Sequence, residues 1–473
     1  MNFDSFLLMR NELLLTIIAV IVLIIEIFTD KNKKTIVIPV SLFLLAAVTA
    51  VNFMPLVSGE LFGGMFKTDA LRVTMKNVLN IGTLVVLIQS VTWIKKPENI
   101  DKISEYFILI FATLIGMNFM ISSGDFLMFY IGLELATIPV ASLAAFERYK
   151  NKSAEAGIKL ILSSALSSGI MLYGISLIYG ITGSIYFDNI ATVFTTGNLS
   201  ILAFVFFFAG MAFKISIVPF HLWAADVYEG APVNIASYLS VVSKGAAVFI
   251  FTILLFTIFK SIIFVWANIL YVTAILTITV GNLFAMRQKN LKRFLAFSSI
   301  AQAGFILLGI IGGTEIGMTS VVYFVLIYIF SNLGAFGVVS IISNVTGKEN
   351  MDDYNGLYAT NPRLSLVMMI SLFSLAGIPP VAGFFGKFFL FTAAIETGYY
   401  ILVLIALLNT IISLYYYLLI VKAMFINKNE TPIAYFKSDN YSKIALGICL
   451  LGMVVVGFAS GIWEYIISVS FGI

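Results

Sequence analysis

Apolar residues along this chain come in long runs separated by short polar links. Stretches near the length that spans a bilayer, about 20 helical residues, recur fourteen times. They fall at roughly 13–28, 36–58, 75–94, 103–122, 125–146, 156–182, 199–221, 231–259, 261–285, 294–312, 316–343, 363–395, 400–426 and 441–469, numbered here as helices 1 to 14. The period-2 alternation of a membrane barrel is absent. The pattern predicts an all-α polytopic membrane protein. The longest polar links, 344–362 and 427–440, are too short to fold as separate soluble domains, so function is expected inside the membrane. No small-residue cleavage site follows the first stretch, which therefore reads as a retained helix.

Composition sharpens the picture by exclusion. Of 473 residues, 60% are hydrophobic and only 11% charged, against about 25% charged in soluble domains. A single cysteine, Cys449, and a single histidine, His221, leave too few ligands for an iron–sulfur cluster or a structural zinc site. A net charge of +4 scattered over short loops makes nucleic acid an unsuitable partner; the expected surroundings are the lipid bilayer and other membrane proteins. Nineteen of the basic residues fall in or beside the links after odd-numbered helices, and only five, Arg10, Lys67, Arg72, Lys76 and Lys260, count with the links on the opposite side. The positive-inside rule then predicts both termini outside and the odd links in the cytoplasm.

Four charges do not fit the links. Lys214, Lys244 and Lys387 lie inside apolar stretches, together with one deep carboxylate, Glu134. Lys244 follows the predicted helix start at Pro232 by about twelve residues, or about 18 Å of helix, beyond the reach of a snorkelling stem. A charge at that depth costs at least ~2.5–3.5 kcal/mol and usually marks an ion path or proton relay. Ion pairs that merely tie helices together are the alternative, but Lys244 has no spare deep carboxylate. Prolines sharpen the signal. Pro219 follows Lys214 by five residues, and Pro379 and Pro380 precede Lys387 by eight and seven. Discontinuous helices carrying charge near mid-bilayer are a mark of transport sites. Ser163, Ser164, Ser167 and Ser168 line one face of helix 6, and Ser298, Ser299 and Gln302 lie on helix 10, where they serve close packing or hold water.

These residues resemble a known family. The runs GMAFKISIVPFHLWAADVYEGAP (210–232), NLKRFLAFSSIAQAGF (290–305), LAGIPPVAGFFGKFFLF (375–391) and FYIGLELATIPVASLAAF (129–146) are similar to the antiporter-like subunits of proton-pumping NADH:quinone oxidoreductase, respiratory complex I. One branch of that family has no lateral helix after helix 14 and carries lysine, not glutamate, in helix 12; this chain matches it. The resemblance implies roles residue by residue. Glu134 is the helix 5 glutamate, Lys214 its helix 7 partner, Lys244 the central lysine and Lys387 the lysine near the exit. It further implies two inverted repeats, helices 4–8 (103–260) and 9–13 (261–426), between an N-terminal three-helix segment (1–102) and helix 14 (427–473), with helices 7 and 12 broken. Many members carry histidine where this chain has Gln302, and proline before Asp226 where it has Ala225.

The expected activity is proton translocation by one subunit of a larger translocase, in a bacterial inner (plasma) membrane. No cofactor is expected in this chain. FMN, iron–sulfur clusters and quinone are expected in partner subunits, reached through neighbouring membrane subunits and the peripheral redox arm. No GxxxxGK[ST] nucleotide loop is present, so the driving energy has to come from such partners. His221, beside the helix 7 break, reads either as a proton-intake relay, since imidazole titrates near neutral pH, or as a capping residue. Glu26 and Glu464, near helix ends, are candidates for contact with neighbours. The same relay also suits a subunit of a membrane-bound hydrogenase, a ferredoxin- or F420-linked dehydrogenase, or a multisubunit Na+/H+ antiporter. A lipid transferase would need a catalytic histidine or acidic cluster at a membrane face, and a scaffold gives no reason for three deep lysines.

Overall fold

The computed structural model describes residues 6–473 and, of residues 31–33, the backbone alone, so the side chains of Lys31 and Lys33 lie outside it. Helices 1–6 run Arg10–Phe28, Val37–Val51, Ala70–Ile94, Ile103–Ile121, Phe126–Ala144 and Asn151–Thr182. Helices 8–11 are Val233–Thr257, Ile263–Ala285, Leu291–Ile310 and Glu315–Thr346; helices 13 and 14 are Tyr400–Phe425 and Asn440–Phe458. Helices 7 and 12 each come in two pieces, Asn198–Ile215 with Leu222–Gly230 and Pro362–Ala376 with Ala382–Glu396. Among the described residues thirteen helices are long and apolar enough to cross a membrane, and interrupted helix 12 supplies the fourteenth crossing. The chain is a multi-pass, all-helical membrane protein.

Helix starts follow the polar residues that satisfy their free N–H groups. Asp69 accepts from the Arg72 amide at 2.8 Å, and Asp125 from that of Met128 at 2.7 Å. Asn290 caps helix 10 and Asp439 caps helix 14 in the same way. The Asp69 cap starts helix 3 more than a turn before the position read from apolar content. Helix 2 ends at Val51, and the chain beyond it forms a small antiparallel pair, Gly59–Leu61 with Phe66–Thr68. Helix 14 stops at Phe458 and a separate short helix, Ser460–Val469, follows.

Helices 8 and 11 form the centre; every residue in their apolar windows is buried. Glycines fix the contacts that aim the deep charges. A Cβ on Gly116 of helix 4 would lie 2.5 Å from the Ala136 backbone of helix 5, and one on Gly174 of helix 6 would lie 2.6 Å from the Phe207 backbone of helix 7. Such close backbone approach is the usual way helices associate where lipid removes the hydrophobic drive. It sets the rotation of the helices carrying Glu134 and Lys214. Helix 8 contains a π-helical turn, Leu239–Ser243, directly before Lys244.

Two expectations are corrected. Lys76 counted as a link residue, but the earlier start of helix 3 carries it six residues into the helix, where it is buried and paired with buried Glu12 of helix 1. Glu26 is not free for a neighbour, because Lys34 and Ser104 both bond to it.

Candidate functional site

The first half of helix 7 ends at Ile215. Ser216 takes the left-handed conformation (φ 67°), and the Ile217 amide bonds back to the Ala212 carbonyl at 2.8 Å, closing the helix with a Schellman-type turn. Helix 12 is interrupted in the same manner. Gly377 is left-handed (φ 86°) and the Ile378 amide bonds to the Phe373 carbonyl at 3.0 Å. In both, a cis X–Pro bond follows, at Val218–Pro219 and at Pro379–Pro380.

Lys214 does not pair directly with Glu134. Its ammonium donates to the Thr137 hydroxyl, three residues past Glu134 and so on the same face of helix 5. The carboxylate makes no ion pair or hydrogen bond with the amine. One of its oxygens, Oε1, is buried without a partner. Glu134 borders an apolar groove of about 410 Å³ on the flank of helix 5, walled by Tyr130, Ile131 and Ile138 among others. On its other side Lys214 faces a cleft lined by Ser164, Ser167 and Ser168 of helix 6. Ser163, the fourth serine of that expected face, does not line the cleft; like Ser164 it donates to a carbonyl of its own helix.

Lys244, 4% exposed, donates to the Ser299 hydroxyl at 2.9 Å and the Ser299 carbonyl at 3.2 Å. One turn before it, Ser240 joins Tyr328 (3.1 Å) and Asn332 (2.6 Å). Near the start of helix 8, Asn234 accepts from Ser340 at 2.8 Å. That pair borders a cavity of about 510 Å³, also lined by Lys292 and Glu349. A polar file thus leads from that cavity down helix 8 to Lys244.

A second file leads onward. Ser298, beside Ser299 on helix 10, meets the Tyr417 hydroxyl at 2.5 Å. Gln302 donates to Tyr417 at 3.3 Å and to the Leu375 carbonyl at 3.0 Å. Lys387, also 4% exposed, donates to the next carbonyl, that of Ala376, at 3.1 Å and lies 4.6 Å from the centre of the Phe305 ring. Gln302 and Lys387 therefore reach adjacent carbonyls at the broken end of helix 12. Among the described residues none of the three lysines forms an ion pair.

His221 sits at the head of the second half of helix 7, buried, and its side chain makes no capping bond; Nδ1 has no partner. The capping reading is not supported. Asp226, in place after Ala225, is tied to Lys159 at 2.8 Å and to Arg293 at 2.6 Å, while Glu229 is tied to Lys152 and Arg293. Burial alone would raise both carboxyl values, but these bonds outweigh it and hold Asp226 and Glu229 below the ordinary carboxylate range. Tyr417, Tyr328 and Thr137 escaped the sequence reading. A hydroxyl in an apolar run is common, and only the folded contacts distinguish these: Thr137 with Lys214, Tyr417 with Ser298 and Gln302, and Tyr328 with Ser240 and Asn332.

A bundle with two interrupted helices, two buried lysines (Lys244, Lys387) and a half-buried one (Lys214), none in an ion pair among the described residues, defines an ion-translocating membrane subunit of the antiporter type. Residues 123–413 match the family described as "NADH:quinone oxidoreductase/Mrp antiporter, TM". NADH-quinone oxidoreductase subunit N of Phocaeicola vulgatus is 50% identical over 98% of both chains. A chain of respiratory complex I from Thermus thermophilus with bound aureothin superposes with TM-score 0.78 and 26% identity, covering 95% of this chain and 97% of that one. A chain of the Mrp complex from Dietzia shares the fold at TM-score 0.85 and 20% identity, covering 99% of this chain and 97% of that one. This chain belongs to the NADH:quinone oxidoreductase/Mrp antiporter family and, within it, to the subunit N group of NADH-quinone oxidoreductases.

Proposed function

We propose that the chain moves protons through a relay of Glu134, Lys214, Lys244 and Lys387, driven by quinone reduction in partner subunits that hold FMN and iron–sulfur clusters. As a member of its family it is a proton-translocating membrane subunit of an NADH-quinone oxidoreductase and works beside other membrane-arm subunits. The carrying observation is the run of neighbouring polar contacts from Lys244 with Ser299, through Ser298, Tyr417 and Gln302, to Lys387 on the carbonyl next to the one Gln302 holds.

Burial penalises an ammonium relative to the neutral amine, which suits a lysine that has to release a proton. Thr137 holds the Lys214 ammonium in the present arrangement. Movement of the Glu134 carboxylate toward it stabilises the proton there, and movement away releases it toward Lys244. Hydroxyls of Ser299, Ser298 and Tyr417 with bridging water carry it past Gln302, which stands where many relatives have an ionisable histidine, to Lys387 and the outer face. His221, buried beside the break, belongs to the intake side. A neighbouring membrane subunit covers the groove beside Glu134 and so senses or sets the state of that carboxylate. Residues 103–260 and 261–426 act as two inverted repeats, a reading supported by the matching closures at Ser216 and Gly377. The segments 1–102 and 427–473 flank them. The charge balance of the links favours both termini outside a bacterial inner membrane.

The test uses inverted membrane vesicles from cells carrying Lys244→Met or Glu134→Gln, with assembly checked on native gels. For Lys244→Met the expected result is an assembled complex whose NADH-driven acidification drops at least about tenfold. Normal acidification removes Lys244 from the path, and failure to assemble makes it a structural group. Glu134→Gln is expected to slow acidification; a normal rate removes the carboxylate from the relay.

A further inference from the structure

Away from the relay, the first half of helix 12, the segment before helix 14 and helix 14 itself enclose a groove of about 740 Å³. Its mouth carries Arg363, Lys437 and Lys443, all exposed. Among the described residues none of the three forms an ion pair, in contrast to Lys150, Lys152, Lys159 and Arg293 on the same side of the molecule. The nearest carboxylate in sequence, Asp439, is turned away to cap helix 14, accepting from the Ser442 amide at 3.2 Å, and does not line the groove.

Below the cations the walls are apolar. Leu366 and Ile370 come from helix 12, Leu446 and Leu450 from helix 14. Ile370 lies about eight residues into its helix and Leu450 about ten, so the trench runs about 12–15 Å from the mouth. That is the depth of one leaflet of a ~30 Å hydrocarbon core. The trench is open at its middle, because no atom lies within 4 Å of where a Cβ on Gly447 would stand.

We propose that this groove binds an anionic phospholipid, with its phosphate held by Arg363, Lys437 and Lys443 and an acyl chain laid along the trench past Gly447. Charge and shape each narrow the occupant. A neutral lipid fills the trench but leaves three cations without a counter-ion, and a free anion uses the cations but not the trench. Arginine presents a fork matched to phosphate oxygens, and basic pockets between helices at the membrane face suit anionic head groups. The inference goes beyond the relay and rests on none of its residues.

The test compares intact complexes purified in mild detergent, then exchanged into vesicles of phosphatidylcholine containing a small fraction of phosphatidylglycerol, with retained lipid counted by mass spectrometry. Three variants are needed: Arg363→Gln with Lys437→Gln and Lys443→Gln; the charge-keeping Arg363→Lys with Lys437→Arg and Lys443→Arg; and Gly447→Phe, which fills the trench and leaves the cations. Retention of phosphatidylglycerol is expected to weaken by about fivefold per cation removed, to survive in the charge-keeping variant and to be lost in Gly447→Phe. Unchanged retention in the neutral triple variant overturns the proposal. So does unchanged retention in Gly447→Phe, which leaves only a surface anion site. Loss of a neighbouring subunit with the lipid count unchanged overturns it in favour of a protein contact. If the neutral triple variant does not assemble, Gly447→Phe and the single-cation variants decide by the same readout.

Discussion

The two broken helices solve one problem from opposite sides. In helix 7 the lysine belongs to the first half, two residues before left-handed Ser216. In helix 12 it belongs to the second half, and Lys387 reaches back eleven residues to the Ala376 carbonyl at the end of the first. Either way an ammonium sits where a half-helix ends in free carbonyls and a partial negative charge, the place where a cation is most easily held in a membrane. The surroundings differ. Lys214 has one hydroxyl partner and a serine-lined cleft, whereas Lys387 has a carbonyl, an aromatic face and Gln302 on the adjacent carbonyl. A break in the helix supplies the electrostatic seat, and neighbouring helices decide which polar groups line it.

The largest expected effect tests that difference. Lys387→Met is expected to reduce NADH-driven acidification at least about tenfold, while Lys214→Met is expected to cost less because Thr137 and the helix 6 serines leave other polar groups beside that break. Equal losses in vesicles with equal amounts of assembled complex would break the asymmetry. Next comes the hydroxyl itself. Thr137→Val removes the only hydrogen-bond partner of Lys214 among the described residues, a bond of the charged class worth about 1.5–3 kcal/mol. Acidification is expected to slow in Thr137→Val and recover in Thr137→Ser. If valine is as good as threonine, Glu134 already does the holding.

Much of this was legible without coordinates, and the reason is physical. A lysine in an apolar run stands out because the membrane makes its presence costly, and a proline beside it marks a break; Lys214 with Pro219 and Lys387 with Pro380 needed nothing more. What stayed hidden depends on rotation and reach. Lys214 turns to Thr137 and not to Glu134 because of a difference of one turn on helix 5, which spacing alone does not resolve. Lys76 looked like a link residue because its helix begins with a cap, Asp69, that apolar content does not register. Its partner Glu12 was hidden because helix 1 begins at Arg10, ahead of the apolar run read from residue 13. Tyr417 has no distinguishing neighbour in sequence, and only the folded chain brings it between Ser298 and Gln302.

A smaller effect follows from the turn residues. A side chain at a left-handed position costs about 1–2 kcal/mol, so Gly377→Ala is expected to lower the thermal inactivation midpoint of the complex. It acts on the site as well, since the new Cβ would stand 3.1 Å from Cδ of Lys387. Ser216→Gly runs the other way. It relieves the same strain and removes a buried hydroxyl with no partner, so stability is expected to rise by up to about 1 kcal/mol with acidification intact. A fall in stability for Ser216→Gly would show that the serine is held for a contact the strain argument omits.

The smallest effect separates the halves by pH. Asp226 and Glu229 anchor the second half of helix 7 to Lys159, Lys152 and Arg293; among the described residues, no ion pair anchors either half of helix 12. Both carboxyl groups lie below their ordinary values of 3.8 and 4.5, since bonds to these cations outweigh the upward push of burial. A depressed carboxyl contributes stability that is fully present above its unfolded value and is lost as pH falls through its folded one. Hydrogen exchange over 222–230 is therefore expected to lose protection as pH drops below about 4.5, with 382–396 unchanged. The groups are partly exposed, so the shift is small and high salt should mimic it. Arg293→Gln, which removes a partner from both carboxylates, is expected to give that lowered protection already at neutral pH. Parallel loss at both breaks on acidification would mean that acid loosens the bundle as a whole and that the anchor on helix 7 has no separate role.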